Sequence, residues 1–407
     1  MIATVRQVVI LMIAVAFLSL GHGLHGSLVG VRASAEDFST QMTGLIMSAY
    51  FAGLLLSAWL TPRIVQAVGH IRVFAGFASV VSTAVMLYPL WIDSTWWLIL
   101  RFVAGFCTSG LYIVCESWMN SASSNKNRGK MLSVYMVVSY GAMGGGQLLL
   151  NVYDGSGFAR FIIVSALLSL SLVPLSLVPT EAPSLAGTKN VSLGEIYRAS
   201  PLAVVATFAN GLAQSAFFSM GAVFGIMQGM ALPYVSLMMA LPPIGVIVTQ
   251  FPAGALSDRY DRRTVIMAFS AAAVVIALAA ALLGGYSPFL MIAFFALFGC
   301  IALPIYSLVM AHANDHLHKD QMLGGSGKLI LLYGLGAMMG PLLAGQFMQM
   351  MGYNGFLYYL IVVYAAIAGM AMLRRVRRPE NIKMQSGEGL RVGPMSTPVA
   401  AQAIAKE

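Results

Sequence analysis

The sequence predicts an all-α polytopic membrane protein, with twelve transmembrane helices in two six-helix bundles and both termini cytoplasmic. Three observations carry this. Of 407 residues, 59% are hydrophobic and 9% charged, whereas a soluble domain carries about 25% charge and 45–50% apolar residues. The apolar residues gather into about twelve stretches of the roughly 20 residues that a spanning helix needs. The basic residues fall almost entirely between alternate stretches, as the positive-inside rule requires.

The stretches run 8–30, 41–61, 73–92, 96–118, 130–151, 158–178, 201–224, 232–253, 264–284, 288–312, 323–349 and 355–374. The first follows Arg6, lacks a small-residue cleavage site and leads into further spans, so it reads as a retained helix and not a signal peptide. With the N-terminus cytoplasmic, the inner segments hold Arg6, Arg63, Arg72, Lys126, Arg128, Lys130, Lys189, Arg198, Arg259, Arg262, Arg263, Lys319, Lys328 and every basic residue of the C-terminal tail. Arg32 and Arg160 fall outside, and Arg101 lies within a span. Trp91, Trp96 and Trp97 cluster at an outer loop, as an interfacial belt would. The net charge of +9 is therefore a record of topology and gives no support to nucleic-acid binding.

The longest internal loop divides the chain into a bundle over 1–178, a cytoplasmic linker over 179–200 and a second bundle over 201–374, followed by a polar, disordered cytoplasmic tail over 375–407. One constant offset pairs Gly105 with Gly299, Tyr112 with Tyr306, Asn120 with Asn314, and Gly146 with Gly340. A single offset that serves two span pairs argues for a duplicated unit.

Enzyme and cofactor frameworks are absent from the sequence. Cys107, Cys115 and Cys300 make no CxxC pair or metal-ligand spacing. Gly324-Gly-Ser-Gly-Lys328-Leu329 lacks the first glycine, the Ser/Thr and the preceding strand of a phosphate loop. The reading is thus a non-enzyme with no cofactor and no metal, acting as a monomer on a small molecule in a lipid bilayer.

A charge inside a span costs about 2.5–3.5 kcal/mol on insertion scales and needs a reason. Arg101 and Glu116 both sit on the fourth span, 15 residues apart, which is about 22 Å along a helix. They cannot pair. Glu116, near the cytoplasmic end, has Arg72, Arg128 and Lys328 as candidate partners. It either exchanges a proton during a cycle or anchors a gate as a fixed ion pair. Arg101 either couples to proton or substrate, or fixes its helix through backbone carbonyls.

His22 and His25 lie in Gly21-His22-Gly23-Leu24-His25-Gly26, where three glycines loosen the first span. They either sense protons or bond a substrate, or they mark a polar helix end. His312, His316 and His318 read as solvated. Asn210, Gln214, Phe217 and Phe218 recur at helical spacing on the seventh span. Gln147, Asn151 and Gln250 add amides, and Tyr112, Tyr140, Tyr306 and Tyr333 add amphipathic rings. Each serves either packing or ligand contact. Together they describe a cavity of stacking surfaces and amides, suited to a neutral aromatic solute.

Between spans 8 and 9 the chain reads Gly254-Ala-Leu-Ser-Asp258-Arg259-Tyr-Asp261-Arg262-Arg263. Gly254 suits close helix approach, and Asp258 can accept from helix N-termini and arginines. The alternative is a positive-inside loop with a satisfied turn. This segment resembles the signature loop of the major facilitator superfamily, except that Asp261 stands where a small residue is usual. The corresponding first-half loop keeps Gly69 and Arg72 but has Gln66 in place of the aspartate. Arg101 followed by Gly105 resembles the superfamily's fourth-helix motif. Gly141 to Gly146, and Gly336 to Gly345 with Pro341, resemble glycine patterns of antiporter fifth helices, though their spacing suits helix packing first.

Asn127-Arg128-Gly129, with Glu116-Ser-Trp-Met-Asn120 before it, looks most similar to a bacterial subgroup often called YcaD-like. The resemblance covers about residues 5–375. It implies a bacterial inner-membrane secondary transporter, working by alternating access around a central cavity with the loop at Gly254 as a cytoplasmic latch. Related carriers are assigned to riboflavin, so import of a riboflavin-type nutrient, gradient-driven and with protons as a coupling partner, is the expectation. Proton-antiport efflux of drugs or metabolites is the nearest alternative. A non-transporting receptor or scaffold is the alternative of another class.

Overall fold

The computed structural model describes residues 2–122, 128–152, 157–176, 192–317 and 321–377. Lys126, Lys189, His318, Lys319, the linker over 179–191 and the tail beyond 377 lie outside the described residues, as do the side chains of Asn120 and Arg128.

Among the described residues the long elements are all α-helices, with three short 3-10 turns. In chain order they are α1 (Ile2–Ala35), α2 (Thr40–Val68), α3 (His70–Leu87), α4 (Ser94–Ala122), α5 (Arg128–Leu148), α6 (Ala159–Leu170), α7 (Leu172–Ser176), α8 (Leu193–Ala199), α9 (Pro201–Met227), α10 (Leu232–Arg259), α11 (Arg262–Leu283), α12 (Pro288–Ala302), α13 (Ile305–Asn314), α14 (Met322–Met351) and α15 (Gly355–Arg377). Eleven helical segments among the described residues are long and apolar enough to cross a membrane. The remaining expected span, 130–151, is helical as α5, but its glycines, serines, tyrosines and Gln147 lower its hydropathy. The expected span 288–312 is broken at Leu303-Pro304, because proline cannot donate to a helix interior.

Local chemistry sets the boundaries. Ser39, Ser200, Asp261 and Ser287 accept backbone N–H bonds at the starts of α2, α9, α11 and α12. Ser192 and Glu195 form a capping box at α8. Gly69, at φ +88°, makes the sharp turn from α2 into α3. Asp261, the departure from the usual loop pattern, thus has a local role: its carboxylate accepts from the Arg263 N–H at 3.0 Å and the Thr264 hydroxyl at 3.3 Å. Asp261→Ala is expected to cost about 1 kcal/mol through loss of this cap, visible as a lower melting temperature of the purified protein.

α1 to α7 pack mainly among themselves, as do α8 to α15. The offset pairs seen in the sequence occupy matching places. A Cβ added at Gly105 would collide with the Tyr50 carbonyl, where α4 meets α2; one added at Gly299 would collide with Pro242, where α12 meets α10. Likewise Gly146 of α5 abuts Leu20 of α1, and Gly340 of α14 abuts Leu212 of α9.

The two sets of helices meet along α2–α14, α5–α10 and α1–α9. Several hydrogen bonds between them lie toward the face that carries Trp91. The Thr40 hydroxyl donates to the Gly345 carbonyl at 3.0 Å, and the Leu342 N–H, one residue past Pro341, donates to Ser48 Oγ at 3.1 Å. On α5–α10, the Ser236 hydroxyl donates to the Gln147 carbonyl at 2.9 Å and accepts from Asn151 Nδ2 at 3.0 Å. At the Trp91 face, Trp91 is exposed but Trp97 is fully buried, donating to the Tyr88 and Trp91 carbonyls. The aromatic belt expected of all three tryptophans is therefore corrected for Trp97, which is core.

Candidate functional site

A first polar cluster lies inside the first set of helices, nearer the Trp91 face. Arg101 on α4 is 3% exposed. Its Nη1 stands 3.2 Å from His25 Nδ1, and its guanidinium lies 4.9 Å from the centre of the Tyr50 ring. Among the described residues no carboxylate pairs with it. Its partners are thus the His25 ring and the neighbouring Tyr88 hydroxyl, where backbone carbonyls were one expectation. Tyr88 meets the His25 ring edge-on at 5.6 Å. His22 Nδ1 is 3.3 Å from the Tyr50 hydroxyl, and the His22 ring meets Tyr112 edge-on at 6.0 Å. The Tyr112 hydroxyl bonds Ser19 Oγ at 3.0 Å. The expected loosening of the first span is not found. α1 is continuous, and Gly23 serves close packing against the Met143 carbonyl of α5.

Glu116, toward the other end of α4, is fully buried and accepts from the Tyr135 hydroxyl at 3.0 Å. Of its expected partners, Arg72 is exposed and Lys328 half-buried, and neither forms an ion pair with it among the described residues. The Arg128 side chain is outside those residues.

A second cluster lies in the second set. Gln214 Nε2 donates to the Leu303 carbonyl at 3.2 Å, beside the break between α12 and α13. Its Oε1 accepts from the Tyr333 hydroxyl at 3.1 Å. Tyr306 and Tyr333 meet edge-on, 4.8 Å between centres. Tyr140 of α5 packs with Val246, Leu303 and Phe218, and so brings the first set to this point. Asn210 is fully buried, its Nδ2 donating to the Ala206 carbonyl at 3.1 Å. Phe217 departs from the expected stripe. It is 1% exposed and stacks on Phe295 and Phe298 at 5.3 and 5.2 Å, inside the second set's core. Only Phe218 stays with the polar residues. Gln147 is buried at the α5–α10 contact and not beside Gln214.

On the opposite face, Arg262 joins three groups: Asp315 at 2.6 Å, Asp258 at 3.1 Å and Ser257 at 3.3 Å. Arg263 Nη1 donates to the Arg374 carbonyl at 3.5 Å, and Arg259 is exposed. These bonds stay within the second set of helices. None of these named bonds reaches the first set of helices. Gly254 has no atom within 4 Å of an added Cβ, so the close helix approach expected there is corrected. His312 is buried, 4.6 Å from His316, and not solvated as expected. Tyr50 and Tyr88 were missed by sequence reasoning. Both lie on apolar spans, and only the packing of α1 to α4 singles them out.

The profile described as Major Facilitator Superfamily matches residues 11–235 and 203–404. The chain is 27% identical, over 382 residues, to an uncharacterized MFS-type transporter of Yersinia enterocolitica, covering 93% of this chain and 97% of that one. It is 24% identical over 378 residues to the uncharacterized MFS-type transporter YcaD of Escherichia fergusonii, covering 92% and 97%. Among solved structures, a mutant of the nucleoside transporter NupG superposes with a TM-score of 0.77 at 11% identity, covering 90% of this chain and 99% of that one.

Proposed function

The chain belongs to the Major Facilitator Superfamily, and on that premise we propose that it is a gradient-driven importer of a small neutral aromatic nutrient, of the riboflavin type. In this reading two six-helix bundles, 1–178 and 201–374, rock about a central site in the bacterial inner membrane. The face with Asp258, the linker, the tail and both termini are cytoplasmic, and the protein acts as a monomer. Hydrogen bonds that join the two sets of helices at the Trp91 face fit a state open to the cytoplasm.

The observation that carries the substrate reading is the phenol and amide group of Tyr140, Tyr306, Tyr333 and Gln214 where the bundles meet. Aromatic faces stack a flat ring, and amides and phenols bond its heteroatoms without demanding a charge. Expression in a riboflavin auxotroph is expected to raise uptake of labelled riboflavin several-fold over the empty vector, and Tyr306→Ala to remove most of the gain. Unchanged uptake overturns the riboflavin-type solute. Reduced retention of labelled drugs or metabolites in the same cells would instead establish export.

A further inference from the structure

We propose that Arg101 seats a compact monoanion inside the first bundle, apart from the Tyr140–Tyr306–Tyr333 site. The guanidinium is nearly inaccessible at 3% exposure, and among the described residues it has no carboxylate partner. A cation withdrawn from water is stable only when its charge is compensated and its N–H groups have acceptors. Here the first condition is unmet among the described residues and the second is met only in part. Nη1 faces the neutral-accepting Nδ1 of His25, and Nε has no acceptor. That leaves the Nε N–H as a buried charged donor for a small anion.

The surroundings complete the seat. If His25 Nδ1 accepts from Arg101, the ring proton is on Nε2, a buried donor without an acceptor. The buried Tyr88 hydroxyl lies beside the Arg101 guanidinium and makes no hydrogen bond of good geometry to any other described group. Tyr50 offers only its ring face to the cation, which leaves the positive charge uncancelled. The chemistry is that of a single negative charge on a small group, either a free inorganic anion such as chloride or nitrate, or a carboxylate carried by a solute.

The test uses the purified full-length chain in detergent, with melting temperature followed as gluconate is replaced by chloride, nitrate or acetate at constant ionic strength. Binding to the folded state alone is expected to raise the melting temperature saturably, by about 3 °C at high occupancy. Arg101→Gln should abolish the anion-specific rise, and Tyr88→Phe should move its midpoint several-fold to higher concentration. A rise with chloride or nitrate identifies a free inorganic ion; a rise with acetate alone identifies a solute's carboxylate and also displaces the neutral-solute reading above. No saturable rise in the wild type, or the same rise in Arg101→Gln, overturns the proposal. Should Arg101→Gln fail to fold, an unchanged midpoint in Tyr88→Phe overturns it.

Discussion

Gly105→Val is expected to leave almost no folded protein in the membrane, measured as loss of the monodisperse peak when detergent extracts are run by size exclusion. At Gly105 an added Cβ would overlap the Tyr50 carbonyl, a backbone atom that no rotamer change can move. α4 would have to withdraw from α2, which carries Arg101 away from Tyr50. Overpacking a well-filled core costs about 1–3 kcal/mol, and more where backbone must shift. The position isolates packing from helix propensity by contrast with Gly369 on α15, where an added Cβ meets nothing within 4 Å. Gly369→Ala should extract normally, because alanine favours a helix by about 0.5–1 kcal/mol over glycine. Equal yields of the two variants would show that α2 and α4 tolerate separation.

Glu116→Gln is expected to abolish accumulation against a gradient in proteoliposomes while leaving solute exchange across the membrane intact. Glutamine keeps an acceptor for the Tyr135 hydroxyl, so the bond at 3.0 Å can survive and the fold with it. What is lost is the ability to take up and release a proton at a fully buried point of α4. Retained accumulation would assign Glu116 to holding α4 and α5 together. In that case Glu116→Leu should lower the melting temperature, because a buried tyrosine hydroxyl would lose its acceptor at a cost of about 1–3 kcal/mol.

The helical fold was legible because it is a matter of composition: spans that tolerate few charges show themselves in any apolar sequence. Arg101 and Glu116 stood out for the same reason. Their partners did not. Tyr50, Tyr88 and Tyr135 look like any other ring in an apolar helix until four or five helices are packed together. Phe217 shows the converse. A repeat of 3.6 residues puts it near Gln214 on a helical wheel, yet α9 is buried on several sides, so neighbouring positions face different surroundings. Asp258 was legible as an acceptor for arginines, and Arg262 stands 3.1 Å from it, but sequence carries no information on which conformation a latch belongs to. Arg262 turns to Asp315, a residue on a distant element.

The contacts that join the two sets of helices set an energy scale. Thr40 and Ser48 on one seam, and Ser236 on the other, supply hydroxyls to backbone partners. Each such bond contributes about 0.5–1.5 kcal/mol net. Under alternating access, losing one multiplies the population open at the Trp91 face by about twofold to tenfold. The resting ratio of conformations is therefore adjustable by single oxygen atoms far from any solute, and a Thr-to-Val change can retune turnover without altering what is carried.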